Sequence, residues 1–425
     1  MDSKNVIAAI ALSSAVIVLY SLFFMPEKST TNKNLAEKNK VEQSTDTPSL
    51  DQKETSIQIS REEALKKSKR IQFENPKIIG SISLKGAAID DLTFKDYIIE
   101  LESNKKVTLL GPRNIENGYL IESGFVTSDK NIDIPDSDSI WSVVDSDKLT
   151  DKSPIKLSWS NKQGITFEKE ISLDDKYLFT IKQSVINSTN NKYDFYSYGQ
   201  IIRNKIPEIS NFYILHEGLI ATLDDELIEE DYDDIQEKKF SKISEKGWLG
   251  ISDKYWITSL IPPQEKEFKT TFDFKKKFRA NFIATEPLEL KSKSSVEEKL
   301  QIIVAAKRVD IIDGYADSLN IDKFDLVIDW GFLYFITKPL FYGIDYFFKL
   351  LGNYGLAIIA ITICIRLAFF PLANFSFRSM AKMKALQPEM VRLKDLHKDD
   401  KVKLQQEMMA LYKKEKVNPM SGCLP

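Results

Sequence analysis

Residues 353–371 read NYGLAIIAITICIRLAFFP, an apolar run long enough to cross a bilayer and interrupted by one charge, Arg366. A hydrocarbon core roughly 30 Å thick takes about 20 mostly apolar residues of helix. A guanidinium inside it costs at least ~2.5 kcal/mol. Arg366 must therefore snorkel to the interface, find a partner, or face a wet cavity. Which of these holds decides what the chain can do.

A second uncharged run of spanning length, VIAAIALSSAVIVLYSLFFM, occupies residues 6–25. It is longer than the apolar part of a secretory signal, and it ends in LFFMP with no small-x-small cleavage site. The reading favoured is an uncleaved transmembrane anchor over 1–25, with a cleaved signal as the alternative. Residues 26–56 are Lys, Asn, Glu, Ser, Thr and Asp with almost no apolar side chains. Such a segment cannot bury enough surface to offset its ordering entropy, so it reads as a flexible linker.

Between 57 and 320 the texture changes to short alternating runs, among them IIGSISL, KLSW, ITFEKEI, YLFTI and TFDF. Period-two alternation of β-branched and aromatic residues, punctuated by Asn, Asp, Gly and Lys, predicts antiparallel strands. Many such strands with few helical patterns predict one large all-β domain, a sandwich or barrel. Within it, DDELIEEDYDD at 224–234 packs eight acids into eleven residues. A calcium site is conceivable, but the spacing fits no EF-hand loop and glycine is absent, so a solvated loop is expected. His216 reads as a structural residue at a strand end. Residues 296–315 read as a helix stopped near Gly314.

Residues 330–351, WGFLYFITKPLFYGIDYFFKLL, are aromatic but broken by Lys338, Pro339, Asp345 and Lys349. An amphipathic helix lying in the membrane interface fits better than a span. A buried helix of the soluble domain is the alternative. The transmembrane helix with Arg366 then covers 353–372. Beyond it Arg378, Lys382, Lys384 and Arg392 are opposed only by Glu389. The positive-inside rule places this side in the cytoplasm. With two spans the N-terminus is then cytoplasmic as well, and the β domain lies on the other side of the membrane.

The region 373–425 carries two helical stripes, Met380, Met383, Leu386, Met390, Leu393 and then Leu404, Met408, Leu411, Tyr412, around the polar turn His397–Asp400. Pro388 should kink the first helix or start a new one. The expectation is a helical hairpin. Its methionine stripe is either packing or an adaptable surface for varied apolar partners.

Other functions have little support. The net charge of −3 argues against nucleic acid as a direct partner. The two cysteines, Cys364 and Cys423, and the two histidines, His216 and His397, form no motif, so neither a metal nor a cofactor is expected.

The stretch GFLYFITKPLFYGIDYFFKLLGNYGLAIIAITICIRLAFFPLANFSFRSMAKMKALQPEM, followed by QQEMMALYKKEKVNPMSGCLP, resembles the YidC-type membrane protein insertases of bacterial inner membranes. GWLGISDKYWITSLIPP at 247–263 resembles a segment of that family's periplasmic domain. The resemblance implies an anchored periplasmic β-sandwich related to the galactose-mutarotase fold, then a core of five spans. Those spans form a hydrophilic groove open to cytoplasm and lipid. By position in the motif Arg366 is the groove arginine, and Thr362 lines the same groove. The hairpin, with Met380, Lys382, Met383 and Lys384 as contacts, would receive nascent membrane proteins or meet the ribosome or targeting machinery. The Sec translocon and membrane lipids are the other implied partners, and no enzymatic activity is implied. Only the first core span precedes the terminal CLP, so the chain is read as truncated before further spans. In such a fragment Arg366 would have only its own helix to work with, about 7 Å from Pro371 by helical rise. Two other functions remain open on the sequence: a periplasmic assembly scaffold or chaperone without insertase activity, and a membrane-anchored carbohydrate-active protein.

Overall fold

A computed structural model describes residues 59–207, 216–264, 266–331, 333–398 and 400–415. The anchor and linker read in 1–56, and the terminal NPMSGCLP with Cys423, lie outside the described residues.

The expected strands form, and they pair almost entirely antiparallel into an eleven-stranded and a nine-stranded sheet. The nine-stranded sheet has Ser295–Ala306 near its middle, flanked by Trp256–Ile261 and Leu178–Asn187. Ile165–Leu173 shows how the sequence fixes the layering. Every second residue is buried, so Ile165, Phe167, Ile171 and Leu173 form one inward row. Rings from the two sheets meet across the interior. Phe73 packs edge-on against Phe179 at 5.2 Å, and Phe94 stacks on Trp256 at 4.6 Å. The two sheets thus share one core, the arrangement of a sandwich.

The segment GWLGIS, Gly247–Ser252, is buried throughout and pairs with Gly218–Leu223 on one side and Trp256–Ile261 on the other. Gly247 has φ +136°, and a Cβ there would come 1.9 Å from the Thr222 carbonyl oxygen. Only glycine permits that approach.

Two expectations are corrected. Residues 296–315 are not one helix. Ser295–Ala306 is a strand, and helix α3 follows at Val309–Leu319, after two short helices, α1 at Arg61–Lys66 and α2 at Tyr232–Glu237. The run IIVAA is apolar at every position because the strand is central and covered on both faces, which hides the period-two signal. Gly314 does not stop α3; Asn320, in the left-handed region at φ 50°, caps it instead. The acidic run is not a loop either. Glu226–Asp231 is the edge strand of the nine-stranded sheet, and α2 follows directly. Three of the run's eight acids have cationic or imidazole partners: Asp225 with Lys246 at 3.0 Å, Glu226 with Lys242 at 2.6 Å, and Asp231 with His216 at 3.3 Å.

Helix α3 covers one face of the sandwich with Ile311, Ile312 and Tyr315, and a 3-10 turn, Phe324–Val327, adds Phe324 against Trp248. The chain then leaves the sandwich through Trp330 into α4, Tyr334–Leu351, and α5, Tyr354–Ala385. Two shorter helices follow, α6 at Gln387–Leu396 and α7 at Lys401–Lys414.

Candidate functional site

Helix α5 carries Arg366. It starts at an elbow: Gly352, at φ 66°, ends α4, and the Asn353 side chain accepts from the Leu356 N–H at 3.1 Å to cap α5. At 32 residues the helix rises about 48 Å, more than a hydrocarbon core needs. Among the described residues it alone is long and apolar enough to cross a membrane, with a mean hydropathy of 2.4 over its best window. The helix does not stop at Pro371 but continues to Ala385. Helix breakers are tolerated in apolar spans, where neighbours and local backbone adjustment satisfy the freed carbonyl.

Helix α4 packs along the first turns of α5. The Phe348 and Tyr354 rings meet at 4.4 Å across the elbow, and Ala357 is fully buried. Gly343 makes room for Ile361; a Cβ there would lie 2.9 Å from its Cδ1. Arg366 follows Ala357 by two and a half turns, so at 3.6 residues per turn it faces away from α4. Thr362, one turn before Arg366, lies on the same side. Both are exposed. The Thr362 hydroxyl donates to the Ile358 carbonyl at 2.6 Å, leaving its lone pairs outward. Among the described residues no carboxylate or other acceptor meets Arg366. Of the three settings open to this arginine, pairing within the described chain is the one the geometry does not supply.

Below α5 the two stripes come together. Met390 on α6 accepts a hydrogen bond from the Tyr412 hydroxyl on α7 at 3.9 Å, and Leu393, Leu404, Met408 and Leu411 are half-buried along the same seam. Pro388 stands in the first turn of α6, where its missing N–H costs nothing. Met383 is half-buried, whereas Met380, Lys382 and Lys384 are exposed, and all four lie on the last turns of α5 rather than on α6 or α7. The methionines therefore divide: Met390 and Met408 pack, while Met380 and Met409 remain open.

A joint between α4 and the sandwich was missed at the sequence level. Lys338 reaches Asp325 at 2.7 Å and Asp313 at 3.4 Å, and the Tyr342 hydroxyl donates to Asp313. The Trp330 indole donates to the Asp325 carbonyl at 3.3 Å. Burial alone would lower the Lys338 pKa, but its hydrogen bond to Asp325 and the charges of Asp325 and Asp313 outweigh that and raise it. A lysine in an aromatic helix reads as a span-breaker. The recoverable signal was the row Asp310, Asp313, Asp317 at helical spacing, which needs a cationic neighbour.

His216 has both ring nitrogens engaged, Nε2 3.1 Å from the Leu219 carbonyl and Nδ1 3.3 Å from Asp231. It ties the start of Gly218–Leu223 to the edge strand, a structural role.

Residues 70–343 match the family described as YidC periplasmic domain, and residues 346–425 match 60Kd inner membrane protein. A membrane protein insertase YidC of Pelagibacter ubique is 71% identical over 425 residues, covering all of this chain and 76% of the relative. The chain belongs to the YidC family of membrane protein insertases. Its function is that of a YidC membrane protein insertase, a membrane protein with a periplasmic domain. YidC insertases of Rickettsia rickettsii and Mesorhizobium japonicum are 40% and 35% identical, covering 99% and 100% of this chain and 76% and 75% of the relatives. Among solved structures, a galactose mutarotase related enzyme from Lactobacillus acidophilus is 11% identical with a TM-score of 0.40, covering 56% of this chain and 97% of that one. A galactose mutarotase-like protein from Lactobacillus casei is 13% identical with a TM-score of 0.39, covering 56% and 100%.

Proposed function

We propose that the YidC chain works through the face of α5 that bears Thr362 and Arg366, as the polar lining of a groove for nascent membrane proteins. The carrying observation is an arginine within an apolar helix of spanning length, turned away from α4 and without a partner among the described residues, beside an outward hydroxyl one turn away. A fixed positive charge in a wetted groove attracts acidic segments of a substrate and shortens the apolar barrier they cross, while apolar segments pass into lipid. No bond is made or broken. The exposed Met380, Lys382 and Lys384, with Met383, would meet the substrate, the ribosome or the targeting machinery at the cytoplasmic end, and the Sec translocon would work beside the insertase.

The test is Arg366→Ala and Arg366→Lys in a chain of the relatives' full length, following insertion of a substrate with an acidic translocated tail. Arg366→Ala is expected to lower insertion at least about tenfold, equivalent to ~1.4 kcal/mol of barrier. Arg366→Lys should keep most of it, because the reading asks for charge rather than a bidentate fork. Full insertion by Arg366→Ala would remove the arginine from the mechanism.

A further inference from the structure

Helix α4 stands between the sandwich and the helix that bears Arg366, and it touches both. None of its own residues is buried. Its hold on the sandwich is therefore local, one edge-on ring contact between Phe341 and Trp330 at 5.6 Å beside a set of polar bridges. Lys338 is clasped between Asp325 of the 3-10 turn and Asp313 of α3, Tyr342 donates to the same Asp313, and the Lys338 ammonium stands 5.8 Å over the Trp330 ring. Further along α4, Asp345 holds Lys349 at 2.7 Å. An open cleft of about 520 Å³ flanks these bridges, lined by Asp317, Asn320 and Asp322 among others. Side chains do not fill it, so on this side α4 is held by the bridges and by the contact of Phe341 with the Trp330 ring. On its other side α4 meets α5 where Gly343 receives Ile361, the residue before Thr362.

We propose that Lys338 and Gly343 are positioning residues for insertion. Lys338, clasped by Asp313 and Asp325, fixes the attitude of α4 beneath the sandwich, and Gly343 seats Ile361, so the two together set the direction in which Thr362 and Arg366 face. The proposal rests on the reading of Thr362 and Arg366 as groove residues. It gives the periplasmic domain a mechanical role: the sandwich is a rigid mount whose orientation is handed through α4 to the spanning helix. Each contact has a distinct failure. Loss of the Lys338 clasp frees a hinge, so the sandwich samples many attitudes over α5. A side chain at Gly343 wedges α4 from α5, so the elbow holds a new angle.

Double electron–electron resonance separates the two. Nitroxides are placed at Lys182→Cys on an exposed strand position and Leu356→Cys on the exposed side of α5, in a chain carrying Cys364→Ser and Cys423→Ser and reconstituted in liposomes. Lys338→Asp should broaden the distance distribution at least twofold, and the exchanged pair Lys338→Asp with Asp325→Lys should narrow it again. Gly343→Leu should shift the mean without broadening, and Gly343→Leu with Ile361→Ala should return it. Insertion of the acidic-tailed substrate, measured in a chain of the relatives' full length, should fall several-fold in each single variant and recover in each pair. An unchanged distribution in Lys338→Asp or Gly343→Leu overturns the proposal. So does a pair that fails to recover, which marks a mere folding defect, or full insertion in a variant whose distances have changed. Failure of the underlying reading shows separately, as full insertion by Arg366→Ala with the distance results intact.

Discussion

At the scale of single residues, the sandwich holds a charge where its own pattern calls for an apolar side chain. ITFEKEISL alternates so strictly that Lys169 falls in the inward row with Phe167 and Ile171, and it is buried. Its ammonium donates to the Ser123 carbonyl at 2.6 Å and lies 5.1 Å over the Trp141 ring. Burial pulls its pKa down to about 8, against the opposing pull of the Glu122 charge. In the unfolded chain a lysine titrates near 10.4. Between these two values the unfolded state binds more protons than the folded state, so stability rises with pH through that window. From pH 7.5 to 9.5 the gain should be on the order of 2 kcal/mol. Lys307, which burial also pulls down to about 8, adds a slope of the same sign, so Lys169→Met should cut the gain measured over this window by about 2 kcal/mol, read by denaturant unfolding followed through tryptophan fluorescence at both pH values. An equal slope in the variant would assign it to other groups. Charges inside and outside a membrane span follow the same rule: Lys169 is offset by a carbonyl and a ring face, whereas Arg366 has no such offset among the described residues.

At the scale of elements, two glycines that look alike in the sequence have opposite prospects. Gly247 sits at φ +136° with Thr222 against it, whereas Gly314 lies on the exposed side of α3 with nothing within 4 Å of a Cβ. Gly247→Ala should destabilise the sandwich by more than about 3 kcal/mol, because backbone strain and a clash with a carbonyl act together. Gly314→Ala should stabilise α3 by up to about 1 kcal/mol. Thermal unfolding of both variants checks the pair, and equal shifts would contradict the argument. The contrast also shows what the sequence makes legible. Strands with one face in the core, such as ITFEKEI and YLFTI, announce themselves by alternation. Ser295–Ala306 does not, since its central position makes both faces apolar, and Val304, Ala305, Arg308 and Ile311 then fall by chance at helical spacing across a strand–helix boundary. The edge strand Glu226–Asp231 was hidden by charge, which an exposed edge uses to discourage pairing with other chains. At the candidate site, the composition of 353–371 located Arg366, and the motif added Thr362. The acidic row of α3 signalled that a cation was needed, but that Lys338 supplies it was not legible, because the clasp joins residues from three separate elements that only the fold brings together.

At the scale of the molecule, the sandwich, the α4–α5 elbow and the α6–α7 hairpin are strung along one apolar helix, so the orientation of that helix decides where every other part works. The basic end of α5, Arg378, Lys382 and Lys384, with Arg392 on α6, argues for a cytoplasmic hairpin, and one crossing then puts the sandwich in the periplasm. The arrangement can be read from both ends. Leu101, 96% exposed, projects from the sandwich, and Lys398, with its side chain 72% exposed, lies in the turn of the hairpin. In the background lacking Cys364 and Cys423, Leu101→Cys should react with an impermeant maleimide in spheroplasts, and Lys398→Cys should react only after permeabilisation. The reverse pattern would turn the chain over and place the exposed Met380 and Lys382 outside the cell, where neither ribosome nor targeting machinery could reach them. Labelling of both sites before permeabilisation would mean that α5 does not cross at all, and Arg366 would then need no groove. The topology measurement therefore comes before any insertion assay, since it tests the premise on which a charge in a spanning helix acquires a function.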